Sequence, residues 1–397
     1  MKNKNQIFAI LILVLLFVCC SSNTSTNTGN NSNSKISNIK YIHLPQFGEN
    51  TLKASSFADT VLYVPLETTK ESILDNIKGI WINNSYILVN CVKGGLFQFQ
   101  KNGKFIRRIG KIGKGPGEYL CIYYFDVIRD TIYVTSRGRR GFLRYSLKGN
   151  WYDEIKLKYE PFHFSVTSDQ KLVCYLYNEG KVLVYNKNFN SPDTIIVEHG
   201  VTKGRNYYTC GGTFMTYFQK STTGLLFNSY LSDTIWNINK HKKEPAFIFD
   251  LKNKLLPYDK RVEFCKGDFN KWSEVVKPFY QVHTIPFQSL MFIFQTHWYA
   301  SKFDAIYINN VKSGEIKRYN TSYIDDDIVG KQKLSGVYFI NSPDYLVSDI
   351  DPMDIQEYLS QNKNNKDKVS QAWVTQMKKI KVEANPILVL MKIKKKI

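Results

Sequence analysis

The sequence predicts an all-β fold, and three observations carry that prediction. Aromatic residues make up 14% of the chain, with 26 Tyr and 25 Phe. With Val, Ile and Thr, these are the residues that pack well on a pleated, half-buried surface. Short alternating apolar runs are punctuated by turn residues, Asn102-Gly103, Lys148-Gly149 and Asn188, spaced about 46 and then about 40 residues apart. A unit of strand, polar turn and strand recurs at that period, which is the signature of sheets arrayed around an axis. Together they imply a six-bladed β-propeller over residues 41–397, with a small helical insertion at about 351–380 in the last blade.

The amino end stands apart. Lys2 and Lys4 precede an uncharged apolar stretch, Ile7 to Val18, followed by Cys19-Cys20-Ser21-Ser22. This is a secretory layout, and the apolar run is short for a membrane span of about 20 residues. Residues 1–20 therefore read as a lipoprotein signal peptide, with Cys20 acylated and Cys19 as the alternative position. Residues 21–40 are rich in Ser, Asn and Thr, cannot bury a core, and read as a disordered tether.

The blades follow in order. KGIWINNSYILVNCVKGGLFQFQKNGKFIRRIG supplies four strands, Ile80-Trp81, Tyr86–Asn90, Leu96–Gln100 and Lys104–Ile109. In the second unit Asp130 turns the chain and Thr131–Thr135 is a strand. The third begins at Phe162, the fourth holds Ser232–Trp236, and the fifth turns at Ser313-Gly314. The sixth is interrupted. Asp351-Pro352 reads as a helix N-cap with Pro in the first turn. Val369, Trp373, Met377 and Ile380 then recur at helical spacing, an apolar face expected to pack on the propeller's own flank. A ring must close or leave open edges. The Val61–Leu66 region is therefore expected to share a blade with Ile387–Ile393.

The Asp59–Thr68 strand, the Gly113–Tyr119 loop, Ser232–Trp236 and the closing Asn385–Leu390, in that order, resemble the six-bladed β-propeller lipoproteins of Bacteroidetes, which are distantly NHL-repeat-like. The resemblance implies a fold and a place in the cell envelope, lipid-anchored to the outer membrane. Some surface-exported lipoproteins of that group carry an acidic cluster next to the cysteine. None follows here, so the periplasmic face is expected. The resemblance implies no reaction.

Residues Gly113–Tyr119, GKGPGEY, form the loop most open to functional reading. It is not a Walker loop, since no Ser or Thr follows the Lys and no helix comes next. Gly113, Gly115 and Gly117 are expected to supply positive-φ freedom. As a crossover between blades it would sit near the channel mouth. The candidate ligand-binding residues there are Arg107, Arg108, Glu118, Arg137, Arg139 and Arg140, because paired guanidinium groups grip planar anions.

A formal charge of +20 favours anionic partners. The expected partners are an anionic glycan or an envelope protein, besides the lipid anchor; nucleic acid is not expected, and the chain is expected to be a monomer. Five cysteines, 91, 121, 174, 210 and 265, read as buried small hydrophobes, with no zinc spacing. Neither Asp325-Asp326-Asp327 nor Asp349-Ile350-Asp351 has calcium-loop spacing, and the first reads as a surface turn. No metal, cofactor or catalytic residue is assigned. The leading expectation is a binding module rather than an enzyme. The alternative is a propeller hydrolase or lyase, acting on a glycan or small molecule with a channel-bound metal.

Overall fold

The computed structural model describes residues 39–167, 171–176, 179–186, 189, 192–196, 218–221, 224–229, 232–239, 242–257, 260, 275–287, 289–297, 302–335, 337, 344–362 and 370–395. The signal, Cys19, Cys20, most of the tether, Asn188, Cys210, Cys265 and Val369 lie outside the described residues.

Five blades are antiparallel four-stranded meanders. Blade 1 runs Ile77–Ile82, Tyr86–Cys91, Gly95–Gln100 and Phe105–Ile109; blade 2 runs Ile122–Ile128, Thr131–Ser136, Gly141–Ser146 and Trp151–Lys156. Blade 3 is His163–Val166, Leu172–Leu176, Lys181–Tyr185 and Asp193–Ile196. Blade 4 is Phe218–Ser221, Gly224–Asn228, Thr234–Asn239 and Lys242–Asp250, and blade 5 is Tyr280–Pro286, Leu290–His297, Ala305–Asn310 and Ile316–Tyr319. The first strands of consecutive blades touch one another, so they line the axis. The turns behave as their residues dictate. Arg129 and Asp130 both take positive φ, 49° and 61°, the pairing that lets a two-residue hairpin follow the strand twist.

The ring is closed by the two ends of the chain. Ala58–Pro65 pairs antiparallel with Ile387–Ile393, with Val64 opposite Leu388 and Leu62 opposite Leu390, and Tyr345–Ile350 completes that blade. Asn385 pins the junction. Its backbone N–H donates to Thr68 Oγ1 (2.7 Å), its amide donates to the Glu67 and Ser72 carbonyls (2.9 and 2.7 Å), and its Oδ1 accepts from Leu74 N–H (2.9 Å). Val64, Leu388 and Leu390 then share one apolar core with Ile80, Val89 and Phe97 of blade 1.

The expected count of six blades is corrected to seven. The extra sheet is rudimentary: Leu52–Lys53, Ile324–Asp325 and Lys333–Leu334, two residues per strand. It has no core of its own. Leu52, Ile324 and Leu334 instead join the core shared with Phe292, Phe294, Val389 and Met391 of the blades beside it. A sheet that builds no separate core leaves no periodic apolar signature, which is why the repeat spacing does not reveal it.

The amino-terminal segment was also unforeseen as an edge cover. Lys40–His43 adds a fifth, parallel strand to the outer edge of blade 4, burying Ile42 against Phe247 and Phe249. The chain then crosses blade 5, where Glu49 bridges to Tyr319 and Arg318 Nη1 donates to the Pro45 carbonyl (3.0 Å). It thus straps the outside of blades 4 and 5 before entering the closing blade.

The helical insertion forms as expected. α1 spans Pro352–Gln361 with Asp351 as N-cap, its carboxylate accepting from Met353 N–H (2.8 Å); α2 spans Gln371–Met377. Trp373 and Met377 are buried in the propeller's own core, with the Trp373 ring edge-on to Tyr63 at 5.3 Å. Among the described residues no helix is long and apolar enough to cross a membrane.

Candidate functional site

The Gly113–Tyr119 loop does link the outer strand of blade 1 to the inner strand of blade 2, through a short parallel pairing of Lys111–Ile112 with Glu118–Tyr119. It is folded around a carboxylate. Glu118 Oε2 accepts from Gly115 N–H at 2.8 Å. A Cβ on Gly113 would collide with that carboxylate, and one on Gly115 would lie 3.0 Å from it. Of the three glycines only Gly117 has positive φ, 68°, so the expectation for the other two is corrected: they are small for space, not for dihedral freedom. Two buried tyrosines brace the loop. Tyr119 Oη donates to the Ile109 carbonyl (2.6 Å) and accepts from Leu96 N–H (3.1 Å), and Tyr145 Oη donates to the Gly117 carbonyl (2.9 Å).

Arg139 belongs to the same brace. Its Nη1 pairs with Glu154 Oε2 at 2.9 Å, and its Nη2 donates to the Gly115 and Lys114 carbonyls (2.7 and 3.2 Å). Glu118 and Arg139 therefore meet at Gly115. Arg107 and Arg108 are elsewhere. Arg107 Nη1 donates to the Lys148 carbonyl on the far turn of blade 2. Arg108 lies over the Phe97 ring, 4.8 Å from its centroid, and reaches the Glu71 carbonyl at 3.5 Å. Arg137 and Arg140 are exposed on the turn between Thr131–Ser136 and Gly141–Ser146. The backbone of that turn is tied at both ends: Arg137 N–H donates to the Cys121 carbonyl (2.9 Å), and Leu157 N–H to the Arg140 carbonyl (2.8 Å). The six candidates thus separate into a brace (Glu118, Arg139), two lateral bridges (Arg107, Arg108) and an exposed pair (Arg137, Arg140).

The same end of blade 2 holds residues that sequence reading missed. Lys78, at the start of the inner strand of blade 1, places Nζ 3.7 Å from Cys121 Sγ. Tyr123 bonds Glu160, and its hydroxyl is pushed up to about 12, by burial first and then by that carboxylate. Glu160 Oε1 also accepts from Gly138 N–H (3.0 Å), joining two neighbouring loops. Their only sequence signal is position: residues at the start of a blade's first strand face the axial mouth. Cys121 is half-buried, unlike Cys91 and Cys174, which are buried as expected.

The remaining motifs are mostly structural. Asp326, 1% exposed, accepts from the Ile328, Val329 and Gly330 N–H groups (3.0, 3.0 and 2.6 Å) and from Tyr63 Oη (2.7 Å). The acidic run is therefore a folded turn whose middle residue is interior, not a surface turn throughout. His297 is half-exposed, with Nδ1 2.8 Å from Asp304 Oδ2 and its ring against Tyr280. Among the described residues no three His, Cys, Asp or Glu side chains converge as a metal site would require.

Radial sheets whose first strands line an axis, closed by strands from both ends of the chain, define a β-propeller. The chain belongs to the family described as Domain of unknown function (DUF4934), whose model matches residues 39–392. A protein of Bacteroides fragilis described as exported has a similar fold, with a TM-score of 0.71 at 16% identity, covering 90% of this chain and 100% of that one. A member of the duf4221 family from Bacteroides vulgatus matches with a TM-score of 0.46 at 9% identity, covering 87% of this chain and 98% of that one. Virginiamycin B lyase from Staphylococcus aureus matches at 0.43 and 9%, covering 84% and 99%. At that level the last two carry no functional argument. No curated protein matches the sequence. The distant NHL likeness finds no support in these matches.

Proposed function

We propose that this protein is a lipid-anchored propeller of the cell envelope that acts as a binding module, taking an anionic glycan or an acidic envelope protein at the loop-bearing end of blades 1 and 2. The observation that carries this reading is the division of labour among the basic residues. Glu118, Arg139, Tyr119 and Tyr145 hold a rigid frame, while Arg137 and Arg140 stand exposed on a turn fastened to it. Two guanidinium groups on a fixed turn suit planar carboxylate, sulfate or phosphate groups. The net charge of +20 would raise the local concentration of such a ligand.

The anchor is Cys20, on the outer membrane's periplasmic face, and the protein is a monomer in this reading. The signal layout supports it, as does the description of the Bacteroides fragilis protein as exported. Mass spectrometry of the mature amino terminus tests the anchor: a diacylated Cys20 is expected, acylation at Cys19 would move the position, and an unmodified terminus would end the idea. The binding face is tested by changing Arg137 and Arg140 together to Gln and titrating an acidic glycan at several salt concentrations. Weaker binding with a shallower salt dependence is expected; an unchanged profile makes that turn mere solvated surface. The hydrolase or lyase alternative has no converging ligand set behind it among the described residues.

A further inference from the structure

We propose that a second, separate site lies on the outer rim where blades 1 and 2 meet, a subsite for an acidic saccharide formed by the Trp151 ring and the Arg107 guanidinium. It goes beyond the loop-end reading and shares no residue with it.

Trp151 opens the outermost strand of blade 2 and is 44% exposed. The core does not need it there: Tyr145, directly opposite in the ladder, is fully buried and fills the space toward blade 1. Yet the ring is held in place. Its Nε1–H donates to the Asp153 carbonyl at 3.1 Å, and a Cβ on Gly117 would lie 2.8 Å from Trp151 Cγ, so the Gly113–Tyr119 loop packs against one side. An indole whose orientation is already fixed, with part of its surface open, offers a platform at low entropic cost. The polarised C–H face of a sugar ring packs on the negative face of an aromatic.

Arg107 supplies the charge. Its stem lies against the same turn, Cδ being 3.0 Å from where a Gly149 Cβ would be, and one N–H is engaged by the Lys148 carbonyl. A guanidinium has several more donors, and Arg107 is exposed, as is Lys148. Gly149, in the turn with φ 82°, and Trp151, the first residue of the strand, are two residues apart, so at most about 7 Å of chain separates them. That is the reach of one sugar ring with its charged substituent. A carboxylate or sulfate would pair with the free fork of Arg107 while its ring lies on Trp151. Charge decides the occupant: a fixed aromatic ring beside Arg107 and Lys148, which form no ion pair among the described residues, favours an acidic saccharide over a neutral one.

The test uses the full chain and a tetrasaccharide of alternating uronic acid and amino sugar, with its carboxyl-reduced neutral form as control. Trp151→Ala and Arg107→Gln should each weaken binding about tenfold, and Trp151→Phe, which keeps a ring, by no more than about threefold. In the Arg137→Gln/Arg140→Gln protein, where the loop-end site is removed, the Trp151 indole signal should still shift with the acidic tetrasaccharide as in the parent, so failure here and failure of the loop-end reading are told apart. Should Trp151→Ala not fold, the indole N–H signals of the parent decide, the one lost in Trp151→Phe being Trp151. That signal should shift with the acidic tetrasaccharide. No shift, equal binding of the neutral form, or binding to anionic vesicles alone would overturn the proposal.

Discussion

Two loops of this molecule wrap around a carboxylate, and they differ in how deeply they bury it. In the turn of the rudimentary blade, Asp326 is interior and accepts four hydrogen bonds, three from successive backbone N–H groups and one from Tyr63. In the crossover loop, Glu118 is half-buried and takes one backbone N–H, that of Gly115, while Arg139 holds the loop's carbonyls from outside. In sequence one is an acidic run that reads as a surface turn and the other a glycine-rich loop open to a ligand reading. Each loop turns out to ligate itself. The lesson is that a cradle of N–H groups in this fold first seeks the chain's own acid, and a ligand must be sought among charges that the frame leaves over.

The comparison breaks most visibly at Asp326. Asp326→Ala would strand three N–H groups and a tyrosine hydroxyl in the interior, and a loss of about 3–5 kcal/mol is expected in chemical denaturation. Asp326→Asn, which keeps one acceptor oxygen, should cost less.

The next effect concerns pH and sets where the comparison is measured. Burial pushes His163 down to about 3 and His283 down to about 4, from an ordinary 6.5. Between those values the unfolded chain holds more protons than the folded one. Stability should therefore fall as pH drops below 6.5, by up to about 1.4 kcal/mol per pH unit for each histidine, and be flat with respect to them above it. His163→Phe, whose ring can keep the stack on Tyr124, now 3.6 Å between centroids, should roughly halve that acid slope in thermal melts across pH. The two carboxylate loops are best compared at pH 7 or above.

Glu118→Ala is a smaller perturbation. One charge-assisted bond to a half-exposed loop is lost, about 1 kcal/mol, and protease nicking should appear within residues 111–119 while the global melt barely moves. A nicking pattern identical to the parent would show that Arg139 and the two tyrosines suffice. The smallest effect is expected from Arg137→Gln with Arg140→Gln: within about 0.5 kcal/mol of the parent stability, since both side chains are exposed and neither makes a hydrogen bond or ion pair among the described residues.

Much of the fold is legible in the sequence. The hairpin turns at Gly103, Asp130, Gly149 and Gly314 announce themselves through residues that tolerate positive φ, and all four have it. The closing pair, Val61–Leu66 with Ile387–Ile393, follows from the need to eliminate edges. The seventh blade was not readable because strands of two residues have no alternation to detect. Nor was the parallel edge strand Lys40–His43, since pairing between residues 40 and 247 leaves no local trace. At the candidate site, residue type alone does not fix where a side chain goes. Arginines that brace a loop and arginines that face solvent have the same spelling. Lys78 meets Cys121, and Tyr123 meets Glu160, only because blade starts converge on the axis, a relation that needs the ring.

The closing blade has a consequence in time. Ala58–Pro65 cannot find its partner until Ile387–Ile393 has been made, and Asn385 must arrive before the junction is pinned. At ordinary synthesis rates, that wait is roughly half a minute. Throughout it an eight-residue strand stands unpaired, and apolar side chains that will meet blade 1 have no cover. Folding by such distant contacts is intrinsically slow. On the envelope route proposed above, a chain crossing the membrane unfolded would gain from this: it could not lock into its ring too early, and release of its last strand on the far side would become the step that commits it.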